Sequence, residues 1–262
     1  MSDFDRNAAT AFGRPLTRAE AAVVDEGLRA YMLRVYNYMV LGLAITGLAA
    51  LGVYMLSVTA DPALAVGKVR NIMLTQVGYT LFVSPVKWVV ILAPLALVFF
   101  LSFRIQNMRP ATAQLTFWIY AALVGVSLAS IFLIYTHTSI TRVFFITAAS
   151  FGALSLWGYT TNRDLTGMGS FLIMGLFGII IASLVNIFLA SSMMQWIISV
   201  VGVLVFAGLT AYDTQRLKNE YIYGAMDGEV MERSAIMGAL SLYLDFLNLF
   251  TMLLQLMGSR DE

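Results

Sequence analysis

Asp213 and Asp245 are acids set inside long apolar runs, in Gly208-Leu209-Thr210-Ala211-Tyr212-Asp213-Thr214-Gln215 and Leu240-Ser241-Leu242-Tyr243-Leu244-Asp245-Phe246-Leu247-Asn248. An ionised carboxylate at the centre of a bilayer costs at least about 2.5–3.5 kcal/mol, so a charge kept there marks a functional position by default. Around Asp245, Ser241, Asn248 and Gln255 recur at helical spacing, with Thr251 or Met252 between, and share one face. Around Asp213, Thr210 lies one turn before and Arg216 one turn beyond. Two carboxyl groups facing one another in a poorly solvated site cannot both ionise cheaply, so such a pair shares a proton and titrates as a unit. That chemistry has two natural uses. One is a pH switch. The other is a cation site in which Asp213 and Asp245 are candidate calcium ligands, because hard cations take several oxygens. Ser241, Asn248 and Thr210 would then line the path.

These residues have blander readings too. An acid near a helix end can reach water or pair with Arg216, and a mid-helix acid can bond a neighbouring backbone. Ser241 and Asn248 are often interhelical packing contacts. The contact itself is not given by the spacing. Asp213 lies near the end of its apolar run, whereas Asp245 lies about nine residues, roughly 14 Å, into its own. The two meet only if the last helix starts deeper than the sixth ends.

The elements that hold these residues are membrane helices. Of 262 residues, 60% are hydrophobic and 12% charged, and the mean hydropathy is +0.81. A soluble domain carries about twice that charge, and a water-exposed shell of this size has nowhere to hide such apolar surface. The composition excludes a soluble enzyme and a disordered chain, and a net charge of +1 leaves no phosphate-neutralising excess for nucleic acid. With no cysteine and one histidine, thiolate zinc sites and His-His metal motifs are excluded. His137 reads as an interfacial residue, and Trp88, Trp157 and Trp196 as aromatic-belt or packing residues.

A span needs about 20 mostly apolar residues. Seven segments meet or approach that length: Tyr36–Ser57, Trp88–Phe103, Leu115–Tyr135, Val143–Thr161, Gly167–Ala190, Met193–Gln215 and Ile236–Met257. Pro94 predicts a kink in the second, tolerable where a neighbour satisfies the freed carbonyl. The fifth and sixth are joined by Ser191-Ser192 alone and must be antiparallel neighbours. Residues 1–34 read as a polar cytoplasmic tail, with a short amphipathic helix from Thr17 to Arg34 and no signal peptide. Residues 35–258 read as the transmembrane domain and 259–262 as a short C-terminal tail. Eleven of the 16 basic residues fall on the N-terminal side of the membrane, which places the N-terminus inside and, with seven spans, the C-terminus outside. A re-entrant last segment would reverse the second assignment. The stretch from Val58 to Lys87 is the one long outer loop, with turn signals at Asp61-Pro62 and Ser84-Pro85 and no evident chemistry.

The two aspartate segments resemble the signature and the last helix of the Bax inhibitor family (transmembrane Bax-inhibitor-motif proteins). The likeness extends through Phe151-Gly152-Ala153-Leu154-Ser155 and Asn186, over roughly residues 35–258. The resemblance implies an all-α membrane fold in which six helices surround a central C-terminal one. It also implies a di-aspartyl pH sensor at Asp213 and Asp245 and a pH-dependent calcium leak, with calcium and protons as partners and no cofactor. In the family a basic residue of the second helix can latch the sixth-helix aspartate; the nearest residues here are Arg104 and Arg109. The segment Arg216 to Arg233, with Asp227-Gly228-Glu229, departs from compact bacterial members by its length. A rival role, known for some bacterial members, is modulation of a membrane-anchored AAA protease through the N-terminal tail. An intramembrane aspartyl protease also pairs two aspartates, the first after tyrosine as in Tyr212-Asp213. It needs Gly-x-Gly before the second, however, where this chain has Leu242-Tyr243-Leu244, and its Pro-Ala-Leu element is replaced by Ala93-Pro94-Leu95. The chain is therefore read as a bacterial inner-membrane protein and not as an enzyme.

Overall fold

The polar segment and the first apolar run form a single helix. In the computed structural model, which describes residues 18–224 and 228–260, α1 (Arg18–Ser57) passes through Arg34 without a break, because neither glycine nor proline intervenes there. Leu28, Tyr31, Met32, Val35 and Met39 recur at helical spacing and are all buried. The helix that carries the first candidate span therefore extends well before Tyr36. Thr17 and the residues before it lie outside the described region.

The stretch from Val58 to Lys87 holds regular structure of its own. Strands β1 (Gly67–Val69) and β2 (Ile72–Leu74) pair antiparallel with Val69 opposite Ile72. Arg70 takes a left-handed φ of 51° to close the turn. Helix α2 (Gln76–Phe82) follows, its N-terminus capped by the Thr75 hydroxyl accepting from the Gly78 amide.

Helix α3 (Val86–Arg104) contains Pro94, which cannot donate to the Val90 carbonyl; the Ser127 hydroxyl of α4 (Pro110–Leu128) donates to that carbonyl instead. The orphaned acceptor is thereby satisfied from the neighbouring helix. Turns of 3₁₀ helix at Ile105–Asn107 and Ala129–Leu133 extend α3 and α4. Then come α5 (His137–Thr160), α6 (Thr166–Leu189), α7 (Ser192–Gly224) and α8 (Gly228–Met257). Ala190 turns left-handed at φ 48° to end α6, and the Asn186 carboxamide oxygen accepts the Ser191 amide at 3.0 Å, so α6 and α7 reverse within two residues.

Seven of the described helices are long and apolar enough to cross a membrane. Many apolar side chains point outward, among them Phe188, Phe103 and Leu48, as lipid-facing surfaces require. The last span differs: 56% of its most apolar stretch is buried, more than in any other. It is one unbroken helix of 30 residues, long enough to cross a bilayer and without the break of a re-entrant hairpin. By contact density the chain divides into two units. One contains residues up to Asn37 with Thr141–Met257, the other Tyr38–Ile140 with the residues after Met257. In the second unit the C-terminal residues are tied to the start of α5, the Thr136 amide donating to the Ser259 carbonyl at 3.1 Å and the Ser259 amide to Ser139 Oγ at 2.8 Å. The core of the first unit is the packing of α6, α7 and α8 around Leu172, Ile179, Ile198, Val205, Phe206, Leu209 and Leu249.

Candidate functional site

Helices α7 and α8 form the most extensive pairing in the molecule, and both run past the apolar stretches that announce them. α7 continues from Gln215 to Gly224, and α8 begins at Gly228, eight residues before Ile236. The expected loop from Arg216 to Arg233 is thus mostly helix, and only residues 225–227, with Asp227, fall outside the described region. Close approach is possible because Gly238 of α8 sits against Leu217 of α7; a Cβ there would lie 2.5 Å from Leu217 Cδ2.

This seam brings Asp213 and Asp245 together. Asp213 is 7% exposed and Asp245 5%, and their carboxyl groups are close enough to interact directly. Asp245 Oδ2 is fully buried and has no hydrogen-bond partner among the described residues. Ser241 stands beside the pair and shares the Arg216 guanidinium with Asp213. A third group completes the cluster. Arg216 places Nη1 3.3 Å from Asp213 Oδ1 and donates from Nη2 to Ser241 Oγ at 3.0 Å. Its Nε lies 3.8 Å from Glu220 Oε1, too long for a hydrogen bond, and is buried without one. Glu220 in turn accepts from the Ser234 hydroxyl at 3.4 Å, and Ser234 meets the Tyr31 hydroxyl at 3.1 Å. A cavity of about 430 Å³ opens beside these residues, lined by Arg216, Glu220, Asn219, Tyr212, Gln215 and Ser234 among others.

The other expected residues fall elsewhere. Thr210 is buried, but its hydroxyl donates to the Phe206 carbonyl of its own helix at 2.8 Å. Asn248 likewise donates to Leu244 O at 2.8 Å. Each spends a donor on its own helix, which leaves the Thr210 hydroxyl oxygen and, on Asn248, the carboxamide oxygen and one N–H. Arg104 ends α3, Arg109 precedes α4, and both are exposed in the other unit. The cation that touches Asp213 in this structure is Arg216.

Two roles escaped the sequence. Glu220 follows Arg216 by one helical turn, a spacing that flags an ion pair. Gln215, in the aspartate motif, braces the turn before α6: its Nε2 donates to Arg163 O and its Oε1 accepts the Leu165 amide, each at 2.8 Å. At the opposite end of the seam, Gln255 joins Gln195, Ser199 and Asn186 in a neutral network. Gln195 Nε2 donates to Gln255 Oε1 at 2.6 Å, Ser199 Oγ to the same oxygen at 2.8 Å, and Asn186 Nδ2 to Gln195 Oε1 at 3.2 Å.

A carboxyl pair with a buried unsatisfied oxygen can bind a proton or a cation. It is not a ready-made calcium cage: no group of three or more carboxylate or histidine side chains is placed to hold a metal among the described residues. Calcium takes six to eight oxygens, so two carboxylates and a hydroxyl suit an ion in passage better than a resident one.

Fold and site together define an all-α integral membrane protein with an intramembrane carboxyl pair. The family model described as "Inhibitor of apoptosis-promoting Bax1" matches residues 28–262, and the chain belongs to this Bax inhibitor family. It is 46% identical over 248 residues to a Rickettsia prowazekii protein, covering 94% of this chain and 96% of that one. It is 45% identical to a Caulobacter vibrioides protein over the full length of both. It is also 44% identical over 236 residues to the Escherichia coli inner membrane protein YbhL, covering 89% of this chain and 93% of YbhL.

Proposed function

We propose that this protein is a proton-regulated cation leak, with calcium as the transported ion, seated in a bacterial inner membrane with its N-terminus in the cytoplasm. The observation that carries the reading is the meeting of Asp213 and Asp245 in a buried site where one carboxylate oxygen has no partner. A proton shared between the carboxyls makes their contact attractive and lowers the local negative charge. Loss of that proton leaves two like charges that repel and that draw in a cation. Flux therefore rises with pH. The inner-membrane location follows YbhL, and the orientation follows the distribution of Lys and Arg. No covalent chemistry is assigned to the pair, and no cofactor takes part.

Calcium flux into liposomes holding the purified protein, followed from pH 5 to 9, tests this. Asp213→Asn and Asp245→Asn should each flatten the pH profile; an unchanged profile in both variants ends the reading.

A second reading is that the protein modulates a membrane-anchored AAA protease through its N-terminal segment. The polar composition of residues 1–17 favours it. The deletion that tests it stops at residue 17, since Leu28, Tyr31 and Met32 belong to the packed core. Loss of protease regulation with intact flux would assign the cellular role to that segment.

A further inference from the structure

Arg216 is held in an uncommitted way. Its contacts to Asp213 and Ser241 use Nη1 and Nη2, while Nε faces Glu220 at 3.8 Å and is buried without a hydrogen bond. An arginine committed to one carboxylate makes two parallel hydrogen bonds to it. Here the guanidinium lies between two carboxylates and pairs fully with neither. A small rotation toward Glu220 would turn the 3.8 Å approach into a hydrogen bond while giving up the contact to Asp213. Glu220 is anchored to receive it, by way of Ser234 and Tyr31.

The position matters as much as the pairing. On one side of Arg216 is the buried carboxyl pair, and on the other the cavity of about 430 Å³, whose wall includes both Arg216 and Glu220. That volume exceeds many times the share of one water molecule, about 30 Å³, and accommodates a partly hydrated ion. The polar wall is completed by Asn219, Gln215, Ser234 and Tyr212, and the Tyr212 ring centre lies 6.0 Å from the guanidinium carbon. Among the described residues, three carboxyl groups, Asp213, Asp245 and Glu220, surround one positive side chain, Arg216. The cluster is short of positive charge, and Asp245 Oδ2 is a buried acceptor with no donor to serve it.

We propose that Arg216 is a tethered cation occupying the entrance to the carboxyl pair, that the cavity is the vestibule through which a divalent cation reaches Asp213, and that Glu220 receives the guanidinium when the ion displaces it. An incoming divalent cation replaces one positive charge with two at Asp213, and Arg216 leaves without being stranded because its second carboxylate is one helical turn away. The transport consequence rests on the leak reading; the binding consequence does not.

Terbium, a trivalent ion with calcium-like preference for oxygen, is the probe, with its luminescence sensitised by Tyr212 in the full-length protein in detergent. Arg216→Gln should bind terbium about tenfold more tightly than the unaltered chain, as removal of a competing charge from a close pair predicts. Arg216→Lys, which keeps the charge, should stay near the unaltered value and also serves where the Gln variant folds poorly. Adding Asp213→Asn to Arg216→Gln should erase the gain, and Tyr212→Phe should weaken the signal. Glu220→Gln takes away the second partner, so terbium should bind several-fold more weakly. Equal affinity in Arg216→Gln and the unaltered chain, or a gain that survives Asp213→Asn, overturns the proposal. Equal affinity in Glu220→Gln overturns the role of Glu220. In liposomes, Arg216→Gln should raise calcium flux several-fold. A terbium gain with no calcium flux in any variant would sink the leak reading and leave the assignment of Arg216 standing.

Discussion

The two ends of the α7–α8 seam are both polar and both partly buried, yet they are built on opposite principles. At one end Gln195, Gln255, Ser199 and Asn186 are neutral, and each amide oxygen in the network accepts at least one hydrogen bond. At the other, Asp213, Asp245, Arg216 and Glu220 carry charge, two buried polar atoms lack partners, and a cavity adjoins them. A satisfied network fixes one geometry, whereas a half-satisfied one is unstable unless something else completes it. The amide end is a brace. The charged end is a place where partners exchange.

The largest expected effect comes from removing the charge at the exchange end. The double variant Asp213→Asn/Asp245→Asn should abolish the pH dependence of flux between pH 5 and 9. It should also melt near the temperature of the unaltered protein, since it removes two crowded acids from a poorly solvated site while Arg216, 37% exposed at its side chain, keeps Glu220 at 3.8 Å. Thermal unfolding in detergent checks the second half. A strong loss of stability would mean that the carboxyl pair is structural after all.

The amide end should respond the other way. Gln255→Leu removes the acceptor for Gln195 Nε2 and Ser199 Oγ. Gln195 Nε2 can turn to solvent and Ser199 Oγ keeps the Gln195 carbonyl at 2.9 Å, so only the net worth of a hydrogen bond, about 0.5–1.5 kcal/mol, is lost; the melting temperature should fall slightly while the pH profile of flux keeps its midpoint. A shifted midpoint would show that the two ends are coupled along α8. A double-mutant cycle on Gln195 and Gln255 should give a coupling of about 0.6 kcal/mol, the typical worth of an interhelical hydrogen bond in a membrane protein.

How much of this was legible in the sequence follows from what hydropathy measures. It sees the stretch that fits a bilayer, not the helix that contains it. The seven apolar runs and the helix over residues 17–34 were therefore visible, while the fusion of that helix with the first run into α1 and the continuation of α7 on to Gly224 were not. Pro94 announced a freed carbonyl, but the identity of its rescuer, Ser127, depends on tertiary packing. Asp213 and Asp245 stood out because an acid in an apolar run is costly. Their meeting was illegible because it depends on how far each helix extends toward the turn. Gln255 appeared as the end of a polar stripe on α8, and only the fold shows that it turns to Gln195 and away from the carboxyl pair. The β1–β2 hairpin left almost no trace, since its strands are three residues long and its turn places an arginine in the left-handed region.

Between the two ends, the seam is closed by apolar contact, and Gly202 of α7 faces Met252 of α8. A Cβ at Gly202 would stand 3.0 Å from Met252 Cγ and Sδ. Because methionine is flexible, the side chain can withdraw by a few tenths of an ångström. Gly202→Ala should therefore change the melting temperature little, its clash offset by the roughly 1 kcal/mol helix advantage of alanine over glycine. A large destabilisation would show that the middle of the seam is as tightly specified as its ends.

The smallest effect is expected next to the charged end, at the turn that Gln215 holds. Asp164 Oδ1 accepts the Thr166 amide at 2.9 Å at the start of α6, and hydrogen bonds from the Thr166 side chain and backbone hold its carboxyl below the usual aspartate range. A folded-state value below the unfolded one means that the unfolded chain takes up the proton first as pH falls. The stabilisation is thus complete above the unfolded value, near pH 4, and disappears as pH drops through the folded one. Asp164 is exposed to water and screened by salt, so an acid at a helix start is worth only about 0.3–1 kcal/mol there. Asp164→Asn should lower the melting temperature slightly at pH 7 and by progressively less as the pH falls below about 4, with no change in calcium flux. A flux defect at neutral pH would instead tie this turn, through Gln215, to the carboxyl pair two residues earlier on α7.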